Sequence, residues 1–483
     1  MKRPLLLFIT LLLPLGITQA ATRTWIANEP GDWYDTANWN GGNLPAAADT
    51  LAVTGTGTII RYSGTSEISY GPLAGGASML IQGDAFHLVT NAVSVPIGNT
   101  AGSVATLTLA ESGSLKATPS IYIASVANSA GIVTVKDNAR IDAKNFYVNY
   151  HTGTGTLLVS GSGLITTTAV FSFGGLNNGA NFGTATTTLQ DHAAIRADGQ
   201  VFFGSGTNIL NIESDQVKIT KLDGSTPAVI LGVGNLSRGT PRHDINFNHS
   251  GTLTFDNQII EGTYEAVWFE DNETYRQELV ANSNNSIAIH AISGVTKLTA
   301  TNIYSRGTTV SDGATLIAAH KYALGVGDVT IEADSTLKLA LDAPAIQTFS
   351  SLSEDGDTFV IGGDLTVHGL LSLGLGDTVD IGGSLLLDGG LEIRFTDSAD
   401  LDALTSLDSI FTVSGDTDLT GLGNITATDG VETYTTTFTE NGTLGAWETQ
   451  PIPEPSTWFL LGAGLGGLAL FVIRRRREDN LEI

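Results

Sequence analysis

The chain of 483 residues contains no cysteine. No disulfide holds it together, and thiol catalysis or a zinc site built on thiolates is excluded. Basic residues are also scarce: 23 Lys and Arg stand against 49 Asp and Glu, a net charge of −26. Nucleic acid and anionic lipid need neutralising cations, so this balance argues against both as partners. Between Tyr322 and Gln450 about twenty carboxylates accompany only Lys338 and Arg394. Two readings of that acidity stay open, the solubility of an extracellular surface or Ca²⁺ uptake through oxygen ligands. Charged residues make up 15% and aromatics 7% of the chain, while Gly, Thr, Ser and Asn abound. Those are residues of turns and short strands, not of helical bundles.

Catalytic signatures are missing too. His87, His151, His192, His243, His249, His290, His320 and His368 form no i,i+4 pair, and no HExxH occurs. Gly161-Ser162-Gly163 and Gly204-Ser205-Gly206 read as turn glycines rather than nucleophile elbows. Gly374 to Val379 lacks the Gly-Gly-x-Gly-x-Asp of a Ca²⁺-binding nonapeptide. The densest acids, Asp355 with Asp357 and Asp397 with Asp400 and Asp402, lie among Gly, Ser and Ala. They read as solvated loops; the alternative is the acid–base machinery of a β-helical polysaccharide lyase or hydrolase.

What is present is periodicity. An apolar residue ending an alternating strand is followed six positions later by another: Leu109/Leu115, Val135/Ile141, Val159/Ile165 and Leu189/Ile195. Seven or eight positions on comes a third: Ile123, Val148, Phe173 and Phe203. Each unit is strand, turn, strand, turn, strand, with alternate side chains on one face. One unit has too little apolar surface to fold alone, but stacked units bury a continuous core. The spacing predicts an all-β chain, a three-faced parallel β-helix (β-solenoid) with coils of roughly two dozen residues, against an antiparallel sandwich. A polar insertion, Leu176 to Asn181, reads as a loop extruded from one coil.

A second block, Gly294 to Leu341, carries Leu298-Thr299, Asn302-Ile303-Tyr304, Gly307-Thr308-Thr309-Val310, Ala323-Leu324-Gly325-Val326-Gly327 and Val329-Thr330-Ile331. It resembles the autotransporter-associated β-strand repeat, with Arg306 where that repeat has a second glycine. The resemblance implies a β-helical stalk of an exported protein.

Both termini speak of export. Lys2 and Arg3 precede an apolar Leu5–Leu15 and the small residues near Ala20, the pattern of a Sec signal peptide over 1–20. At the other end Pro453-Glu454-Pro455 is followed by an apolar run from Trp458 to Ile473 and then by Arg474, Arg475, Arg476 and Arg477. The run is short for a transmembrane helix, which needs about 17–25 residues, and the arginines mark its cytoplasmic end. Box, helix and basic tail together resemble the PEP-CTERM sorting signal of Gram-negative bacteria. That resemblance implies recognition and cleavage near Pro453-Glu454-Pro455 by an exosortase membrane protease, after delivery by the Sec translocon. The C-terminal helix would be a transient inner-membrane anchor, with the product released to the cell surface or exopolysaccharide matrix.

The expected organisation is a signal peptide (1–20), a Trp-containing cap with first coils (21–100), regular coils (101–207) and irregular coils with loops (208–293). Autotransporter-type repeats (294–396), a C-terminal β cap (397–450) and the sorting signal (451–483) follow. Trp25, Trp33 and Trp39 in the cap could stack on sugar rings or cover the open first coil. The chain thus reads as a non-catalytic structural or adhesive protein with exopolysaccharide as a partner and no required cofactor.

Overall fold

The computed structural model describes residues 21–449, apart from 28–30, 33–34, 45–49, 55–58, 63–77, 84–85, 90–93, 119, 125, 151, 175–182, 205, 234–240, 270–273, 282–285, 341–356, 396–397, 424 and 440–441. The expected signal peptide and sorting signal therefore lie outside the described residues, as do the 176–181 insertion, Trp33, Asp355 and Asp397.

Alternation of side chains sets the strands. In Val104–Leu109, Ala105, Leu107 and Leu109 are fully buried while Val104, Thr106 and Thr108 point outward. The same pattern recurs in Ala130–Val135, Thr154–Val159, Thr184–Leu189 and Thr207–Ile212. Val and Thr suit such strands because branching at Cβ fits the pleated surface.

These strands pair in parallel, each with the strand one coil later. Leu109 lies opposite Val135, Val135 opposite Val159, and Val159 opposite Leu189, and this first ladder runs on through Ile212 to Phe247. Leu115, Ile141, Ile165 and Ile195 form a second ladder. Ile121, Phe146, Phe171 and Val201 form a third. The chain visits first, second and third ladders in turn and then returns to the first. Residues of like kind are thereby stacked, at a strand spacing of about 4.8 Å. Each large apolar side chain withdrawn from water in these columns contributes about 1.5–3 kcal/mol. Inside, aromatic rings stack from coil to coil: Phe146 on Phe171 at 5.6 Å, Phe173 on Phe203 at 5.0 Å, and Phe203 on His243 at 5.0 Å.

The corner between the first and second ladders shows where part of the acidity goes. Glu111, Asp137 and Asp191 hold φ near +56, +61 and +54°, a left-handed turn that Asp tolerates better than most residues. The carboxylate of each later coil accepts from the turn of the coil before it. Glu111 bonds Gly83 N at 3.0 Å, Asp137 bonds Glu111 N at 3.0 Å, and Asp191 bonds Gly161 N at 2.9 Å.

From residue 242 the regular coil gives way to long strands. Arg242–Phe255 pairs in parallel with Ile287–Leu298, and Ile259–Phe269 forms an antiparallel hairpin with Thr274–Ala281. Within the 208–293 stretch, read from sequence as irregular coils with loops, alternation alone does not separate this antiparallel pairing from a parallel one.

Contacts divide the chain into two units, Met1–Thr309 with Tyr322–Gly327, and Val310–Lys321 with Asp328–Ile483. The coils above belong to the first. In the second, Leu365 pairs with Leu385, Leu371 with Leu391 and Phe359 with Val379, all in parallel. Side-chain bonds between successive coils here span 20 residues, shorter than the expected two dozen. Gly-Gly turns at 362–363 and 382–383 explain the saving, since a second chain can pass close only where no Cβ intrudes: a Cβ on Gly382 would sit 2.4 Å from Gly362 O. The parallel order ends in antiparallel strands, Ile425–Thr428 with Thr433–Thr436 and then Glu448–Thr449.

The molecule is all-β with long, parallel-rich sheets and has no α-helix among the described residues. Among those residues no helix is long and apolar enough to cross a membrane, and the expected span Trp458–Ile473 lies outside them.

Candidate functional site

The tryptophans come first, as candidate sugar platforms. Trp25 and Trp39 are 3% and 1% exposed and meet edge to face, with ring centroids 5.2 Å apart. Buried indoles offer no face to a sugar, so carbohydrate contact through these two is corrected: they are core side chains of the first coils. Trp33 lies outside the described residues.

The acidic candidates divide similarly. Asp402 is exposed in a short 3-10 turn, Ser398–Ala403. Asp357 is brought to Asp377, which lies one coil on, within the Gly374–Val379 run that lacks the Ca²⁺-binding nonapeptide pattern. Asp377 accepts Asp357 N at 3.2 Å through Oδ1 and Gly374 N at 2.6 Å through Oδ2. Burial raises both carboxyls above their usual range, and the Asp357 charge adds to the rise at Asp377. With both oxygens of Asp377 held by backbone N–H groups, this pair serves the turn.

The histidines, scattered in sequence, are partly gathered by the coil. His290 Nε2 stands 3.2 Å from Asp244 Oδ1, Arg242 Nε stands 3.3 Å from Asp244 Oδ2, and Arg306 pairs with Oδ1. Arg306 also donates to Ser286 O at 2.9 Å. Burial and the neighbouring Arg242 bring the Arg306 guanidinium down to about 10 and lower His290 as well. Beside this cluster the buried Glu261 accepts Ser286 N at 3.1 Å, Ile287 N at 2.5 Å and Ser305 Oγ at 2.6 Å. Wholly buried His243 takes a hydrogen bond from the Asn208 amide at 3.0 Å through Nδ1, so its Nε2 carries the proton, and burial holds its pKa near 3. Asp244 thus faces Arg242 on its own strand, His290 on the paired strand and Arg306 in the bend before Gly307–Val310, so the cluster ties these three segments of the chain together.

Sequence reasoning missed this cluster. Its one signal was Arg306, the departure from the repeat pattern, which is the residue that reaches Asp244. The rest of that block has structural work. Asn302 accepts Ile259 N at 2.9 Å and donates to Ala323 O at 2.7 Å, and Tyr304 OH meets Thr308 Oγ1 at 2.6 Å.

A second missed feature is aromatic. Tyr122 and Tyr147 pair in register on the outer side of the third ladder, with rings 5.3 Å apart, and Tyr150 lies 4.1 Å from Tyr122. Burial, with the neighbouring Tyr122 and Tyr150, pushes the Tyr147 phenol up to about 12. In the second unit a cleft of about 750 Å³ is lined by Asp408, Asp418, Thr420, Leu422 and Phe438. Asp418 Oδ1 accepts both Thr420 N and Thr420 Oγ1, which lowers its pKa. No group of three or more His, Asp or Glu is placed to hold a metal ion among the described residues.

Comparison with known protein families finds a match in the terminal segment. Residues 451–477 match the PEP-CTERM protein-sorting motif. No curated protein and no solved structure matches the chain. A PEP-CTERM motif implies an exported protein processed at the membrane by an exosortase. Pro453, Glu454, Pro455, Trp458, Ile473 and the four arginines Arg474 to Arg477 fall within it.

Proposed function

We propose that this chain is an exported, non-catalytic parallel β-helix protein that serves as a structural or adhesive component of the cell envelope and exopolysaccharide matrix. An exosortase would recognise Pro453-Glu454-Pro455 and cleave nearby while the apolar 458–473 segment, held by Arg474 to Arg477, rests in the inner membrane. The bulk of the protein would then lie outside. The observation that carries this reading is a PEP-CTERM motif attached to long in-register parallel ladders. Stacked coils favour a scaffold because each contacts only its neighbours and exposes two-dimensional outer faces. The ionisable clusters favour it too, since their acids are spent on turns and intrachain ion pairs.

The test is to tag the mature protein internally and follow its mass in hosts with and without an exosortase. Shortening near residue 453 only when the protease is present, abolished by replacing Pro453, Glu454 and Pro455 with alanine, supports the reading. Turnover of a polysaccharide, lost on Asp→Asn change at Asp357 or Asp377, would favour a β-helical lyase or hydrolase instead.

A further inference from the structure

On five successive coils the outer side of the first ladder carries no charge. Its fifteen outward positions are Val104, Thr106 and Thr108, Ala130, Ile132 and Thr134, Thr154, Thr156 and Leu158, Thr184, Thr186 and Thr188, then Thr207, Ile209 and Asn211. Nine are threonine, five aliphatic and one asparagine. On a chain of net charge −26 this is a neutral plane. Register makes it a grid, about 4.8 Å between coils and about 6.6 Å between alternate residues of one strand. Ser78 Oγ to Thr106 Oγ1 (2.6 Å) and Asn211 Nδ2 to Thr188 Oγ1 (3.3 Å) close its two ends. Between them the hydroxyls of Thr134, Thr154, Thr156, Thr184 and Thr186 make no hydrogen bond among the described residues and are left for a partner.

We propose that this face docks a chain of uncharged polysaccharide. The inference rests on the matrix reading above and gives that reading a surface. The absence of any cation disfavours an anionic glycan, which the acidic protein would otherwise repel. A second copy of the chain is disfavoured by size. Five strands of six residues cover roughly 500 Å², below the roughly 800 Å² per partner of a stable protein interface. A water lattice is disfavoured because Ile132, Leu158 and Ile209 stand taller than threonine and interrupt the hydroxyl grid. A neutral pyranose chain has both of the surfaces required. Its C–H faces lie against methyl and aliphatic groups, while its hydroxyls exchange hydrogen bonds with Thr Oγ1.

The test is co-sedimentation of the full protein, isolated from an exporting host that carries an exosortase, with insoluble cellulose, chitin and β-1,3-glucan, with cross-linked alginate as the anionic control. Retention on at least one neutral polymer, unchanged by added salt and at least tenfold weaker in the Thr156→Glu/Thr186→Glu variant, is expected. A Thr134→Gln/Thr156→Gln variant, which crowds the grid without charge, is expected to weaken it similarly, with unchanged thermal midpoints certifying the fold of both. Four results overturn the proposal: no retention on any neutral polymer, equal retention by both variants, binding to alginate alone, or partition into growing ice or dimerisation through this face. Processing near residue 453 is scored separately in the same preparations. Normal processing without retention removes the docking face and leaves the matrix reading, whereas absent processing strikes that reading and leaves the retention assay valid.

Discussion

At the scale of the residue, the acidity of the first unit is partly a set of corner braces. Asp137 combines a φ near +61° with a bond to Glu111 N. Asp137→Ala loses the acceptor and forces a Cβ residue without a local hydrogen bond into that conformation, so about 2 kcal/mol of destabilisation is expected in urea unfolding. Asp137→Asn keeps acceptor and turn preference and should cost about half as much or less. A buried histidine gives the opposite kind of signature. Burial holds His243 near 3 in the fold against 6.5 in the open chain. The unfolded state therefore binds a proton that the folded state refuses between those values. Its contribution is full above pH 6.5 and is lost as the pH falls towards 3. His243→Phe retains a flat ring against Phe203 and is expected to flatten the fall in the urea midpoint between about pH 6 and pH 4. An unchanged slope in that variant would assign the acid sensitivity to other groups.

At the scale of the element, Asn302 shows how one side chain ties segments together. Both halves of its buried amide are used, on Ile259 N and Ala323 O. Asn302→Ala strands a buried donor and a buried acceptor, and about 2–4 kcal/mol should be lost, read as an earlier unfolding midpoint. Asn302→Asp, which keeps only the acceptor, should fall between. The ladders were legible in the sequence because each strand announces its inner face by alternation. Its partner is announced by the recurrence of Leu109, Val135, Val159 and Leu189 at nearly equal intervals. The 259–281 hairpin was not legible, since antiparallel strands alternate in the same way and nothing local sets direction. The shorter coils of the second unit were hidden as well, because Leu365, Leu371 and Leu385 give strands while the coil length depends on how closely glycines let successive turns approach. Of the candidate sites, the sorting motif was legible from its fixed order of residues. The Asp244–Arg306 cluster was not, as its members lie 62 positions apart and meet only through the stacking of strands. Burial overturned Trp25 and Trp39 because spacing tells nothing of which side a ring faces.

At the scale of the whole molecule, a charge of −26 is a continuous repulsive load. Raising NaCl from about 10 mM to 150 mM shortens the screening length from about 30 to 8 Å, so the thermal midpoint should rise over that range. A falling midpoint would show that ion pairs such as Arg306 with Asp244 outweigh the repulsion. The corner braces of the first unit also have a direction. Gly83, Glu111 and Gly161 are each satisfied by a carboxylate that comes later in the chain, never earlier. A polypeptide is made from its amino end, so these three corners stay unsealed until the later coil is supplied. Closure at these corners is consequently one-way: the coils that bring Glu111, Asp137 and Asp191 each latch the one before, whereas the coil that brings Gly161 has no carboxylate with which to do so.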